Sequence, residues 1–154
     1  IPVGNKGLVI EKVDGPSHLK VVEEFGYEMY MHCGAIRKVL LAWQTPTFID
    51  EYFRTIIIHD QAFPHVRPDD LREELKKIRQ DGYAITRGEY VNDAVGIGAP
   101  VFNSEGELAG SIGIIAPEIR IGSPELLETQ RDLVQFYASA LSSDLGYEKH
   151  DVFQ

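Results

Sequence analysis

The sequence predicts an α+β fold, an antiparallel sheet with helices laid against it. Strand-like runs at Tyr83–Glu89, Val95–Phe102 and Leu108–Ile115 follow one another, the last two joined by the hairpin turn Asn103-Ser104-Glu105-Gly106. Apolar residues recur at helical spacing in three other stretches, at Ile36/Val39/Leu40/Trp43, Leu71/Leu75/Ile78 and Leu126/Leu133/Tyr137/Leu141.

In chain order, Ile1–Val3 reads as a strand, Gly4-Asn5-Lys6-Gly7 as a turn and Leu8–Val13 as the returning strand. Asp14-Gly15-Pro16 is a turn signal, and Leu19–Val22 reads as a short strand ending before Gly26. A helix is expected over Ala35–Trp43, stopped by Thr45-Pro46, with a second short helix over Phe48–Phe53. The next helix has the strongest end signals: Pro68 at its first position, Asp69, Asp70, Glu73 and Glu74 near its positive end, Lys76, Lys77 and Arg79 near its negative end, and Gly82 as the stop. Glycines 110 and 113 inside the last strand weaken it, and their usual meaning is a bulge or a close approach of backbone or ligand. Ser123-Pro124 opens the long final helix.

Composition bounds the function. The 154 residues fit one domain, and no apolar run approaches the roughly 20 residues of a membrane-spanning helix. One cysteine forms no internal disulfide, so a cytoplasmic location is the expectation. Fifteen Lys+Arg against 24 Asp+Glu give a net charge of −9, which argues against a nucleic-acid surface on this chain, because phosphate neutralisation dominates such affinity. The opening residues look like a hairpin entered partway, so an N-terminal neighbour is expected to be absent from this chain.

Candidate chemistry centres on "MHCGAIRKVLLAW", residues 31–43. Cys33 lies just before a helix start, which favours a thiolate, and His32 is beside it. If that segment is extended, however, the two side chains point to opposite faces, and no orienting Asn or Asp stands at a recognisable spacing. His59, Asp60 and His65 offer a loop metal cluster, but without paired-ligand spacing, so no metal or other cofactor is expected. "GIGAP" at 96–100 lies inside a strand and opens no helix, so it fails as a phosphate loop. Gly34 and Ala35 carry two readings: a plain helix cap, or an anion site where backbone N–H groups and the helix dipole meet a ligand.

The ordered motifs resemble one family, the C-terminal effector-binding domain of IclR-type bacterial transcriptional regulators. "LVIEKVDGP" resembles its second strand and "HCGAIRKVLLA" its pocket-helix signature, usually His, a small residue, Thr or Gly, Ala, then Gly-Lys-Ala-Leu-Leu-Ala. "LREELKKIRQDGYA" and "GIGAPVFNSEGELAGSIGIIAPEIRI" resemble its next two blocks. The resemblance runs from about Gly7 to the last helix. It implies a GAF-like fold, a non-enzymatic regulator that forms homodimers or tetramers, and DNA contact only through a winged helix-turn-helix domain N-terminal to this one. It implies a small organic acid or aromatic effector, its carboxylate held at Gly34 and Ala35, with further pocket positions at Thr86, Gly96, Gly113 and Ile115.

The sequence departs from the family pattern at several of those positions. Gly96, Gly113 and Ile115 offer no polar side chain where relatives often carry Cys or Ser, and Asp93 replaces a glycine. A roomier, more apolar pocket and an aromatic or longer-chain carboxylate are the resulting expectations. The rival function is a thiol or redox enzyme on a GAF-like scaffold, using Cys33. A third is an assembly module, supported by apolar residues on the last helix.

Overall fold

The computed structural model describes residues 1–18, 20–21, 23–60 and 66–148. Strands β1 (Pro2–Val3), β2 (Lys6–Leu8) and β3 (Glu28–Tyr30) make one small antiparallel sheet in that order. Helices α1 (Ala35–Ala42) and α2 (Pro46–Tyr52) follow, then a π-helical turn over Phe53–Ile57 and helix α3 (Pro68–Asp81). Strands β4 (Ala84–Arg87), β5 (Ala94–Phe102) and β6 (Leu108–Pro117) form the second antiparallel sheet, ordered as in sequence. A short helix α4 (Glu118–Ile121) and the long helix α5 (Pro124–Asp144) end the described chain.

The end signals work as the sequence implies. Thr45 both ends the α1 region and caps α2, its side chain accepting from Phe48 N at 3.2 Å. Gly82 stops α3 in the left-handed conformation at φ 78°. Ser123 caps α5 by accepting from Leu126 N.

The first hairpin is tighter than expected, with the return strand ending at Leu8; Val13 is 94 % exposed. Strand β3, which the sequence reading did not anticipate, pairs with β2, and the strand expected at Leu19–Val22 has both its ends outside the described residues. The expected strand Tyr83–Glu89 shortens to β4 because Gly88 turns back at φ 62° and its N–H bonds to Ala94 O.

The second sheet is covered on both faces, and the alternation along β5 explains how. Val95, Ile97, Ala99 and Val101 pack with Val134 and Ala138 of α5. The intervening Gly96 and Gly98 face α1. A Cβ at Gly98 would lie 2.7 Å from Ile36 Cα, so α1 crosses the sheet with its backbone nearly in contact. Gly113 pairs with Gly98 across the sheet and lies under the Ile36 side chain. The strand glycines therefore serve a close approach of a helix.

The final helix buries a different face from the one its large apolar residues suggest. Val134, Ala138 and Ser142 meet the sheet, with Ser142 Oγ accepting from Phe102 N at 3.0 Å and donating to Ala138 O at 2.8 Å. Leu126, Leu133, Tyr137 and Leu141 share a face that stays open to solvent, joined by Phe136 at 65 % exposure. Among the described residues no helix is long and apolar enough to cross a membrane.

Candidate functional site

Strand register builds the floor of a cleft. Thr86 pairs with Gly96, and Gly96 with Ile115, so these three form one row across the sheet on the face that α1 covers. The N-terminus of α1 lies over that row. Gly34, its N-cap, has φ 79° and ψ 160°, a conformation essentially restricted to glycine, and this turns the chain from β3 into the helix. Ala35 N donates to Thr86 Oγ1 at 3.1 Å, so the threonine hydroxyl satisfies one of the first-turn N–H groups. Tyr90, Val91 and Glu89, from the link between β4 and β5, close the cleft.

Five of the six residues singled out from the sequence thus meet at one place: Gly34, Ala35, Thr86, Gly96 and Ile115. Gly113 does not line the cleft. It belongs to the neighbouring row, where a Cβ would collide first with Ile97 O of β5 at 2.0 Å and then with Ile36 Cγ1 at 2.6 Å. Nor does the expectation of extra room hold. The free space is about 20 Å³, close to that of one water, because Ala35 and Thr86 pack where a side chain at 96 would go.

Sequence reasoning missed the two buried cations that hold this helix in place. Arg37, 5 % exposed, pairs with Glu23 at 3.1 Å and lies over the Tyr90 ring at 5.0 Å, tying the cleft's cover to α1. Lys38 donates to Glu74 and to Glu89, each at 2.8 Å. The legible signal was the charge pair inside the apolar pattern of "AIRKVLLA", where a solvated helix face would have been expected on only one side.

A second cluster occupies the turn before α1. Residues 31–34 form a turn rather than an extended segment, with Cys33 N bonded to Tyr30 O. His32 and Cys33 therefore do not point to opposite faces as expected. Both are buried, and the ligand atoms of His32, Cys33 and Asp60 lie within 4.8 Å of one another. Asp60 Oδ2 beside Nε2 is an acceptor, so the ring proton lies on Nε2 and Nδ1 accepts from Tyr52 Oη at 2.8 Å, a hydroxyl that also accepts from His32 N. The Nε2–H then donates to Asp60 Oδ2 at 2.7 Å. Burial lowers the His32 pKa, with the Asp60 hydrogen bond opposing, so this contact is a hydrogen bond from a neutral imidazole. Burial and the Asp60 charge push the Cys33 thiol up to about 12. That is the reverse of the activation a thiol nucleophile needs, and it removes the support for thiol chemistry. Of the loop residues weighed as metal ligands, Asp60 takes part here and His59 does not; His65 lies outside the described residues.

Comparison with known proteins decides the family. The family described as bacterial transcriptional regulator IclR, C-terminal, matches residues 1–143. The chain belongs to this family. The IclR C-terminal domain here is 30 % identical over 139 residues to the Escherichia coli K12 protein named uncharacterized HTH-type transcriptional regulator RhmR, covering 89 % of this chain and 51 % of that one. It is 28 % identical over 148 residues to the HTH-type transcriptional regulator KipR of Bacillus subtilis, covering 94 % and 58 %. The Thermotoga maritima IclR crystal structure superposes with a TM-score of 0.84 at 26 % identity, covering 95 % of this chain and 59 % of that one. The chain thus spans little more than half the length of these relatives. They are named as regulators rather than enzymes, and the α+β architecture of this IclR domain matches that of the solved structure.

Proposed function

We propose that this IclR domain senses a small organic acid or aromatic carboxylate at the start of α1 and passes the signal to DNA-binding domains outside the chain. The observation that carries the reading is the convergence of Gly34, Ala35, Thr86, Gly96 and Ile115 on one cleft beneath a helix N-terminus. The ligand carboxylate takes the place of Thr86 Oγ1 at Ala35 N, and the hydroxyl turns to donate to it. Because the closed cleft holds only a water-sized space, the body of the ligand enters as the Glu89–Val91 segment moves aside. That movement strains two ties that hold α1, Arg37 over Tyr90 and Lys38 to Glu89.

The proposed output is a population shift between two arrangements of a cytoplasmic homodimer or tetramer. Support for association comes from the open apolar face of α5, where Phe136 is 65 % and Tyr137 60 % exposed. The relatives' HTH-type names support a DNA-binding helix-turn-helix domain N-terminal to this one, in keeping with the net charge of −9 on this chain.

The test is thermal unfolding against a panel of aliphatic and aromatic carboxylates. A ligand at a hundred times its dissociation constant adds about 2.7 kcal/mol of stability, which is a midpoint rise of roughly 5–10 °C for a domain of this size. The rise is expected for one acid class and is expected to shrink in Thr86→Val. A panel with no saturable rise would sink the anion site at Gly34 and Ala35.

A further inference from the structure

His32, Cys33 and Asp60 bring an imidazole, a thiol and a carboxylate together from two separate parts of the chain. We propose that these three side chains form a binding site for a divalent cation of the zinc type, with its fourth coordination position open to an adjoining cavity.

The donor set is the first argument. Nitrogen, sulfur and oxygen ligands together suit zinc and its borderline neighbours, whereas magnesium and calcium take oxygen ligands. Charge balance is the second. A thiolate and a carboxylate neutralise a doubly charged ion, so the filled site carries no uncompensated buried charge. The thiol proton leaves to solvent as the metal–sulfur bond forms.

Support around the ligands is the third argument. Tyr52 Oη, buried and 2.8 Å from His32 Nδ1, holds the ring so that Nε2 faces Asp60. Asp60 stands at the end of the π-helical turn, its N–H bonded to Ile56 O at 2.8 Å. Cys33 is anchored by its own N–H on Tyr30 O. On a tetrahedral ion with bonds of about 2.0–2.3 Å, ligand atoms stand roughly 3.3–3.8 Å apart. The present His32–Asp60 contact of 2.7 Å therefore opens by less than about 1 Å, and ligand atoms now up to 4.8 Å apart close by about 1 Å. As the ion takes Nε2, the ring proton moves to Nδ1 and Tyr52 Oη accepts it, so the imidazole stays neutral.

The fourth position is the last argument. His32 and Cys33 both line a cavity of about 150 Å³ that also exposes Lys38, Glu74 and Glu89. Three ligands among the described residues, beside such a space, leave a place for water or for an anionic ligand. The site is separate from the carboxylate cleft, sharing only Glu89 and Lys38's ion pairs with it, and stands or falls independently of the effector reading.

Cobalt(II) titration of the chelator-stripped chain tests the proposal, followed by displacement with zinc(II). Cys33 is the chain's one cysteine, so any thiolate-to-cobalt charge-transfer absorption reports on it without a variant. The expected result is one cobalt per chain, with that absorption, independent of protein concentration and abolished by zinc. Asp60→Asn is expected to weaken binding at least about tenfold, Cys33→Ser to remove the absorption, and His59→Ala to change neither. Folding of each variant is checked by circular dichroism. Folded wild-type protein that binds no cobalt, or binds it without thiolate absorption, overturns the site, as does undiminished affinity in a folded Asp60→Asn variant.

Discussion

Replacing Gly98 with alanine tests the close crossing of α1 over the second sheet. The new Cβ would lie 2.7 Å from Ile36 Cα, 3.0 Å from Ile36 N and 3.1 Å from Ala35 C, all backbone atoms of a helix pinned by Arg37 and Lys38. Ordinary carbon–carbon contact begins near 3.5 Å, so the helix start must rise by about 0.8 Å. Overpacking of this kind costs about 1–3 kcal/mol. Alanine in place of glycine in a strand returns roughly 0.5–1 kcal/mol through lower unfolded-state freedom. Because the contacts are with helix backbone, the upper part of that cost, about 2–3 kcal/mol, applies, and the net expectation is a loss of about 1–2.5 kcal/mol, a midpoint lower by roughly 2–10 °C, with an unchanged urea m-value. Gly96→Ala is the internal comparison: its Cβ meets Thr86 Oγ1, which can rotate, at 3.2 Å, and Ala35 Cβ at the ordinary contact distance of 3.4 Å. It is expected to cost less than Gly98→Ala. An unchanged or raised midpoint for Gly98→Ala would refute the close crossing, and equal losses for both would refute the role of the helix backbone.

Thr86→Val keeps the shape of the side chain but strips the acceptor from Ala35 N, leaving a buried donor unpaired; urea unfolding is expected to show a loss of about 1–2 kcal/mol. Glu74 and Glu89 share the buried Lys38 ammonium, so either single change to Gln leaves it one carboxylate and is expected to cost about 1 kcal/mol or less. The double change strands the charge and is expected to cost about 3 kcal/mol, a non-additivity that a double-mutant cycle reads directly. Cys33, 2 % exposed and with its thiol pushed up to about 12, is expected to resist iodoacetamide in metal-free folded protein at neutral pH and to react in urea, as followed by mass spectrometry. Rapid labelling of the folded chain would contradict the buried, protonated thiol.

Local chemistry determined much of this domain in the sequence itself. Helix ends were legible because Pro68, Gly82, Thr45 and Ser123 act on their own backbone neighbours, and such signals need no distant partner. The order of β4, β5 and β6 was legible because a hairpin pairs residues that are near in sequence. The motif order also pointed to the family and to five residues that share one cleft.

Only the tertiary structure decided how the glycines are used. Gly96, Gly98 and Gly113 look alike in a strand, and which of them faces free space depends on where α1 crosses, through contacts about 60 to 80 residues apart. The same holds for α5, where the small residues Ala138 and Ser142 meet the sheet and the large apolar ones face outward; periodicity identifies faces but not which one is covered. It holds most clearly for His32 and Cys33. The turn over residues 31–34, and an aspartate 28 positions away, made adjacent side chains into one buried cluster that no spacing rule along the chain contains.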